Sequence, residues 1–229
     1  MMISVIMPVL NEAAGIVSCL QSLLQVPNPL EIIVVDGGSQ DPTCDLVRQF
    51  PVTLCQTSGG RGKQMNRGAA IAQGDIFLFL HGDTQLPQDF AALVTETLAD
   101  SQVVAGAFPL GIADSRWRFR ALEKLVQWRS QLLALPYGDQ AIFLRRQDFE
   151  ALGGYAEIPI MEDYELMQRL RKRGKIRLTS QPVQTSARRW QRLGLWRTTW
   201  INQKMLLGYH LGIDPEILRH WYRQQIRDS

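Results

Sequence analysis

Short apolar runs alternate with segments of helical periodicity along the first eighty residues. Four runs are rich in β-branched or aromatic residues and are bounded by turn-forming residues, which predicts strands at 3–7, 31–35, 52–55 and 75–80. Between them, apolar residues at helical spacing predict helices over 12–25 and 63–73. Strands that alternate with helices are typical of βαβ units and therefore of a parallel sheet.

Polar segments follow three of these predicted strands directly. Ligands of open parallel sheets bind outside the carboxyl ends of the strands. The pattern therefore predicts a ligand-binding edge made of Pro8–Glu12, Asp36–Asp41 and His81–Thr84.

The second half of the chain is less regular. We predict strands at Val103–Leu110 and Ala141–Arg145, and helices at 115–134, 148–152, 162–173, 196–211 and 214–226. No Pro/Ser-rich linker separates the halves, so we expect one domain over residues 1–229. Its first part, residues 1–114, would bind the ligand of the predicted edge, and residues 115–229 would form a second lobe ending in helices.

Charge is distributed unevenly along the 229 residues. Residues 1–114 contain four Lys/Arg against eleven Asp/Glu, whereas residues 115–229 contain 21 against 11. This asymmetry suggests that the second half meets something anionic. Its basic residues are scattered over helices without a nucleic-acid-binding motif, so we do not expect a nucleic acid partner.

The composition indicates an ordinary globular protein of the cytoplasm. No segment approaches the roughly 20 apolar residues of a membrane-spanning helix, and the N-terminus lacks the features of a signal peptide. Cys19, Cys44 and Cys55 have no metal-ligand spacing and are expected to be reduced thiols. Near the C-terminus, apolar residues stand among Arg and Lys, namely Trp196, Trp200, Leu206, Leu207 and Tyr209. They favour either peripheral contact with the anionic inner face of a membrane or packing on the same domain or a second subunit.

Two sites on the predicted edge suggest nucleotide binding. Asp36 ends a buried strand, where a carboxylate accepts hydrogen bonds from a base or a ribose, although it would equally cap the turn DGGSQD. The loop Ser58–Lys63 combines glycines with Arg61 and Lys63, which suits the close approach of a diphosphate. It is not a P-loop, because no Ser or Thr follows the lysine. A solvated flexible loop is the alternative.

Three further segments suggest metal and acid–base chemistry. Asp83 follows an apolar strand and is placed to ligate a hard divalent cation, or to cap the next segment. Glu162 and Asp163 open a helix, where they complement its dipole, and either carboxylate would serve as a general base. Arg189 would contact phosphate or a membrane surface, while Trp190 would line a site or pack on the core.

These segments together resemble the family 2 glycosyltransferases. The match is ordered along the chain and covers roughly residues 3–190, through Val5–Glu12, Ile32–Asp41, Gly62–Ala69, Ala72–Asp75, Leu80–Thr84, Gly153–Tyr155 with Met161–Asp163, and Ser186–Trp190. The resemblance is to small, soluble, bacterial-type members. It implies the GT-A fold, a Rossmann-like α/β fold with a central, mostly parallel mixed sheet flanked by helices.

The resemblance also implies an activity. A sugar would pass from a nucleotide diphosphate sugar, by family habit a UDP-sugar, to an unidentified acceptor with lipids among the candidates. The transfer would be inverting and assisted by Mn²⁺ or Mg²⁺. The implied nucleotide-binding residues are Pro8, Glu12, Asp36, Arg61, Lys63 and Arg67. Asp83 would hold the metal, Asp163 with Glu162 would provide the base, and Arg189 and Trp190 would lie on the acceptor or phosphate side. A homodimer is compatible with the pattern.

Two departures from the family pattern keep other functions open. His81 replaces the first acid of the metal-binding motif, and DGGS replaces DDGS after the second strand. The first change is compatible with a non-catalytic protein that binds nucleotide sugars. A sugar nucleotidyltransferase is the other alternative, although residue 12 is Glu and the Gly-rich N-terminal signature of that class is missing.

Overall fold

The computed structural model describes residues 1–114, 116–117, 119–120, 122–123 and 136–227. Its strands are β1 (Ile3–Val9), β2 (Leu30–Asp36), β3 (Thr53–Gln56), β4 (Ile76–Phe79), β5 (Thr84–Gln85), β6 (Val103–Ala107), β7 (Leu110–Ile112), β8 (Phe143–Arg145), β9 (Lys175–Leu178) and β10 (Val183–Thr185). Its α-helices are α1 (Ile16–Leu24), α2 (Thr43–Val47), α3 (Arg61–Ile71), α4 (Phe90–Ala99), α5 (Arg146–Leu152), α6 (Glu162–Arg171), α7 (Arg188–Leu193), α8 (Leu195–His210) and α9 (Pro215–Arg227), and a 3₁₀ helix covers Gly138–Gln140.

Among the described residues the strands form two sheets. The larger sheet has the order β3-β2-β1-β4-β8-β6-β9, and the smaller sheet has the order β5-β10-β7. In the larger sheet the pairs β3–β2, β2–β1 and β1–β4 are parallel, and so is the pair β6–β9. Strand β8 runs antiparallel to both β4 and β6. The prediction of a mostly parallel mixed sheet is confirmed.

Helices cover both faces of the larger sheet. Because side chains alternate along a strand, Val5 of β1 belongs to one apolar cluster and Ile6 to the other. The first cluster includes Ile16 of α1 and Phe90 of α4. The second is completed by residues of α3, α5 and α6. The core therefore has two layers separated by the sheet.

Helix α3 begins earlier than the sequence predicted. The positive φ angles of Gly59 (107°) and Gly60 (98°) end the preceding loop just before Arg61. Arg61 and Lys63 consequently lie in the first turn of α3. Residue 63 was already part of the predicted helix, whereas the assignment of Arg61 to a Gly-rich loop was wrong. The physical reason is that glycine adopts this backbone conformation without steric cost, so the chain turns into the helix at Gly60.

The second half departs further from the prediction. The single strand expected at Val103–Leu110 is divided at Phe108–Pro109 into β6 and β7, which belong to different sheets. Pro109 has no N–H to donate and cannot continue a central strand. The short strands β5, β9 and β10 were not predicted. Of the helix predicted over 115–134, residues 117, 119–120 and 122–123 are helical, and residues 115, 118, 121 and 124–134 lie outside the described part.

The two predicted C-terminal helices are confirmed as α8 and α9, within one residue at either end. Helix α8 packs on α6, where the Tyr164 hydroxyl and Nε2 of His210 are 2.6 Å apart and the Tyr164 and Tyr209 rings meet edge to face. In the described residues no helix combines the length and the apolar character that crossing a bilayer requires.

Candidate functional site

Hydrogen bonds join the loop after β1 to the loop after β2. The Asn11 N–H donates to Oγ of Ser39 at 2.9 Å, and Oδ1 of Asn11 accepts from the Gln40 N–H at 2.8 Å. Asn11 has a φ of 56°, a left-handed conformation that asparagine tolerates. The Glu12 N–H donates to the Thr43 hydroxyl at 2.9 Å. Two segments of the predicted edge thus form one surface, with Pro8 in β1 directly before it.

Asp36 is fully buried at the end of β2. Its carboxylate accepts from the N–H groups of Gly38 at 3.0 Å and Ser39 at 3.1 Å, and from Nε2 of Gln56 at 3.2 Å. Burial raises the pKa of this carboxyl, but the hydrogen bonds from Ser39 and Gly38 outweigh it and hold the pKa below its usual value. Asp36 therefore caps its turn as an ionised group, and its predicted contact with a nucleotide remains a prediction.

Gln64, which sequence reasoning missed, holds this edge together. Its buried Nε2 donates to the carbonyl oxygens of Val9 at 2.9 Å and Val35 at 2.7 Å, the ends of β1 and β2. A Cβ on Gly37 would lie 3.0 Å from the same Nε2. A glutamine at a helical position carries no distinctive signal, because only the packing of α3 on the sheet brings it to these carbonyls.

The three predicted cations do not form one cluster. Nε of Arg61 is 3.5 Å from Oε1 of Glu162, and Nζ of Lys63 is 3.5 Å from Oε2 of Glu157. Arg67 is exposed and lowers the pKa of Cys55 by its charge, against the larger effect of burial. Of the three, Arg61 is the one that the structure places among the predicted catalytic carboxylates.

Arg61 lies in a concentration of titratable groups. Burial lowers the pKa of its guanidinium, but the charges of Glu162 and Asp163, followed by Tyr222 and Asp139, raise it overall. The side chain keeps 49% of its exposed surface, so solvent screens these interactions in part. Asp139 and Tyr222 were not predicted, since one lies in a short 3₁₀ helix and the other in α9, and only the fold brings them near Arg61.

Glu162 and Asp163 have different surroundings. Glu162 is 4% exposed and lies under Arg61, and burial raises the pKa of its carboxyl while Arg61 opposes that rise. Asp163 is half-buried. Its Oδ2 accepts from the Gly138 N–H at 2.7 Å, and its Oδ1 accepts from the Tyr164 N–H at 2.7 Å. The backbone thus fixes the orientation of the more accessible carboxylate.

His81 faces the same carboxylate. A Cβ on Gly138 would lie 3.1 Å from Nε2 of His81 and 3.2 Å from Oδ2 of Asp163, so the two side chains flank one glycine. Burial and then the charge of Arg61 lower the pKa of His81 to about 3. The imidazole of His81 is therefore neutral and lies beside the Asp163 carboxylate.

Asp83, two residues after His81, lies beside the loop that contains Gly15. Its side chain is half-buried, and its backbone carbonyl accepts a hydrogen bond from the Ser186 N–H at 3.3 Å. A Cβ added to Gly15 would lie 3.5 Å from the Cβ of Asp83. Asp83 also lines a cavity of ≈ 380 Å³ whose wall contains hydroxyl and amide groups, among them Ser18, Gln184, Ser186 and Gln191. In the described part of the chain, no group of three or more His, Cys, Asp or Glu side chains is arranged to hold a metal.

The predicted acceptor-side pair, Arg189 and Trp190, lies in α7, a few residues after a backbone contact with Asp83. The hydrogen bond from Ser186 to Asp83 places the start of α7 beside the loop after β4. Trp190 packs against the apolar cluster that contains Ile112 and Phe119, which agrees with a role in packing. The position of Arg189 in α7 is described, and its side chain lies outside the described part.

Comparison with known proteins identifies the family. The model of "Glycosyl transferase family 2" matches residues 4–153. A "PGL/p-HBAD biosynthesis glycosyltransferase" of Mycobacterium bovis is 34% identical over 167 residues, which cover 67% of this chain and 63% of the relative. The chain thus spans less than two thirds of the length of this relative.

Solved structures agree on the fold. TarS of S. aureus in complex with UDP-GlcNAc superposes with a TM-score of 0.64 at 18% identity, over 81% of this chain and 58% of that one. The mannosyltransferase PcManGT of Pyrobaculum calidifontis, in complex with GDP-Man and Mn²⁺, superposes with a TM-score of 0.61 at 22% identity, over 80% and 56%. The expected GT-A fold is confirmed, and on the match to its sequence model the chain belongs to glycosyl transferase family 2.

Proposed function

We propose that this chain transfers a sugar from a nucleoside diphosphate sugar to an acceptor hydroxyl, with inversion at the anomeric carbon. The observation that carries the proposal is the position of Asp163. Its carboxylate is half-buried and oriented by the Gly138 N–H, it flanks Gly138 together with His81, and its charge acts on Arg61. Family membership makes sugar transfer the chemistry that this arrangement serves.

Asp163 is the better general base of the adjacent pair. A base must come within hydrogen-bonding reach of the proton that it removes. Glu162 is nearly inaccessible at 4% exposure and is paired with Arg61, whereas Asp163 keeps accessible surface. In the proposed step Asp163 takes the acceptor proton as the hydroxyl oxygen bonds to the anomeric carbon. The bond from that carbon to the diphosphate breaks, and the electron pair stays on the departing phosphate oxygen.

Asp83 fits a divalent ion that takes most of its ligands from the donor and from water. Mg²⁺ is commonly held by one or two carboxylates together with substrate phosphates, and a single half-buried carboxylate after β4 matches that requirement. Mn²⁺ or Mg²⁺ bound there would stabilise negative charge on the leaving diphosphate. His81 turns instead toward Gly138 and Asp163.

A UDP-sugar is the proposed donor, and its base and ribose would meet the edge formed by Pro8, Glu12 and Asp36. Support comes from the neighbour that binds UDP-GlcNAc, while the neighbour with GDP-Man makes a guanosine donor the alternative. Hydroxyl and amide groups in the cavity beside Asp83 are of the kind that bind sugar hydroxyls. Lipids remain the acceptor class to test first, and cytoplasmic location and a homodimer remain predictions.

The deciding experiment measures release of nucleoside diphosphate from a panel of UDP-, GDP- and dTDP-sugars, with Mn²⁺ and candidate acceptors. Asp163→Asn should lower kcat about 10²–10⁴-fold, the contribution of a positioned base, while donor KM changes little. Asp83→Ala should remove the dependence on metal together with most activity. Asp45→Asn, a change at an exposed aspartate of α2, is the matched control and should behave as wild type.

Two results would contradict the proposal. If Glu162→Gln abolishes turnover while Asp163→Asn retains it, the base has been assigned to the wrong carboxylate. If the wild type binds a nucleotide sugar without releasing nucleoside diphosphate for any acceptor, the chain is the non-catalytic binder that the His81 departure left open.

A further inference from the structure

We propose that one face of α8 docks on an anionic lipid surface. The face consists of five residues spaced alternately three and four apart, Arg197, Trp200, Lys204, Leu207 and Leu211, and is called the α8 stripe below. Residues at this spacing lie along one side of a helix. Basic and apolar side chains thus alternate from Arg197 to Leu207 along a single line, and a second leucine, Leu211, directly follows the helix.

Four residues of the α8 stripe are exposed and Lys204 is partly buried, whereas the opposite side of the helix is buried. Trp200 is 62%, Leu207 61% and Leu211 70% exposed, whereas Ile201 is 1% and Met205 2% exposed. Three large apolar side chains are thus exposed along one side of a single helix, and exposed apolar surface of this kind marks a site of contact with protein or membrane. The buried side already holds α8 in place, so packing of the helix does not require the stripe.

Charge identifies the partner as anionic. Helix α8 contains no acidic residue. Nζ of Lys204 lies 5.5 Å from the Trp200 ring and 4.9 Å from the Trp221 ring, which leaves its ammonium between two aromatic faces. Nearby acidic residues are engaged elsewhere, since Glu216 pairs with Arg219 and Asp214 caps the first turn of α9. Tryptophan and long basic side chains are the residues that settle at the headgroup level of a bilayer.

The structure also changes which residues form this surface. Leu206 and Tyr209, for which the sequence left both membrane contact and packing open, pack against the apolar cluster that contains Ile6. The side chain of Trp196 lies outside the described part. Trp200 and Leu207 remain from the original group, and Leu211 joins them. The lipid-facing set is therefore narrower than the sequence suggested and lies on one line.

A second copy of the chain is a poorer occupant. A twofold interface uses the same patch of each subunit, so the two basic residues of both subunits would be brought into one interface. No carboxylate of α8 would offset this repulsion. An anionic phospholipid bilayer offers an acyl-chain region to the three large apolar side chains of the stripe and negatively charged headgroups to its two basic residues.

The test is vesicle co-sedimentation of the full chain. Vesicles of phosphatidylglycerol and phosphatidylcholine are compared with vesicles of phosphatidylcholine alone. We expect at least tenfold stronger binding to the anionic vesicles, loss of that preference at high salt, and at least tenfold weaker binding for the triple variant Trp200→Ser, Leu207→Ser, Leu211→Ser. Lys204→Gln should weaken binding about fivefold, the effect of one basic residue near a charged surface.

Leu24→Ser is the matched control, because Leu24 is an exposed leucine, 42% accessible, on α1. It should bind vesicles as the wild type does, and thermal melting of every variant shows that each is folded. Binding that is absent in the wild type, or unchanged in the triple variant, overturns the proposal. So does a wild-type dimer, measured by light scattering, that the triple substitution converts to a monomer, because the stripe is then a subunit interface. None of these readouts depends on the proposed sugar transfer.

Discussion

Neighbouring side chains in the candidate site have opposite surroundings. Glu162 is buried under Arg61, whereas Asp163, one residue later, is half-buried and accepts a hydrogen bond from the Gly138 N–H. His81 and Asp83 show the same separation across Gly82, since one flanks Asp163 and the other packs beside Gly15. His81 replaces an acid of the family's metal-binding motif, and the structure places its imidazole beside the proposed base.

The low pKa of His81 should appear in the pH dependence of stability. Between its usual pKa of 6.5 and about 3, the unfolded chain binds a proton at this residue that the folded chain does not. Folding is therefore favoured above this window, and the contribution is lost as the pH falls. Wild-type protein should lose about 2 kcal/mol more unfolding free energy from pH 7 to pH 5 than His81→Gln.

Urea unfolding at the two pH values measures this difference. His220→Gln, at an exposed histidine of α9, is the control and should match the wild type. Equal losses for wild type and His81→Gln would show that the imidazole is not shielded in the folded state.

At the scale of the element, α3 sets the geometry of the site. Its first turn presents Arg61, Gln64 clamps the ends of β1 and β2, and Gly68 allows the helix to approach the sheet. A Cβ on Gly68 would overlap Cγ2 of Ile6 and lie 3.1 Å from Cγ2 of Val35. The glycine thus serves close packing in the middle of a helix.

Gly68→Ala should destabilise the protein by about 1–3 kcal/mol through overpacking, although removing glycine from a helix normally stabilises it by about 0.5–1 kcal/mol. The measurement is the free energy of unfolding in denaturant. Ala70→Gly, at an exposed position of the same helix, measures the difference in helix propensity between alanine and glycine without any packing contact. It should lower the free energy of unfolding by about 1 kcal/mol. A more stable Gly68→Ala would mean that α3 does not contact the sheet as closely as described.

The limits of sequence prediction are clearest among the strands. The runs that became β1, β2 and β4 were recognisable because they are continuous and apolar, as strands buried on both faces are. In β9 the exposed Lys175 and Arg177 alternate with partly buried residues at a sheet edge, which leaves little pattern to detect. Strands β5 and β10 have two and three residues and exist through pairing with each other across about 100 positions.

At the scale of the whole molecule, a donor would bind across several loops. Nucleotide contacts are proposed at the loops after β1 and β2, and metal contacts after β4, so binding should stabilise the folded chain as a unit. At a concentration 100 times its Kd, a ligand of the folded state adds about 2.7 kcal/mol, which corresponds to a rise in Tm of about 5–10 °C for a chain of this size.

UDP with Mn²⁺ should therefore raise Tm in a thermal melt, and excess chelator should reduce the rise. Asp36→Asn should lose most of the effect, while Asp45→Asn retains it. If UDP with Mn²⁺ raises the Tm of Asp36→Asn as much as that of the wild type, the Asp36 carboxylate does not contribute to nucleotide binding. A rise with GDP and none with UDP would change the proposed donor class.

The sequence by itself determined the fold class, the edge of the sheet where polar residues collect, and the family. These follow from local patterns, because buried parallel strands and helix faces leave periodic apolar positions and the motifs follow them in a fixed order. Only the tertiary structure decided which polar groups meet. Gly138, Asp139 and Tyr222 come from a 3₁₀ helix and from α9, and they reach Arg61 and Asp163 through packing that no local pattern encodes. The structure likewise divided the apolar residues of α8 into a buried side and an exposed stripe, because burial depends on what the rest of the chain covers.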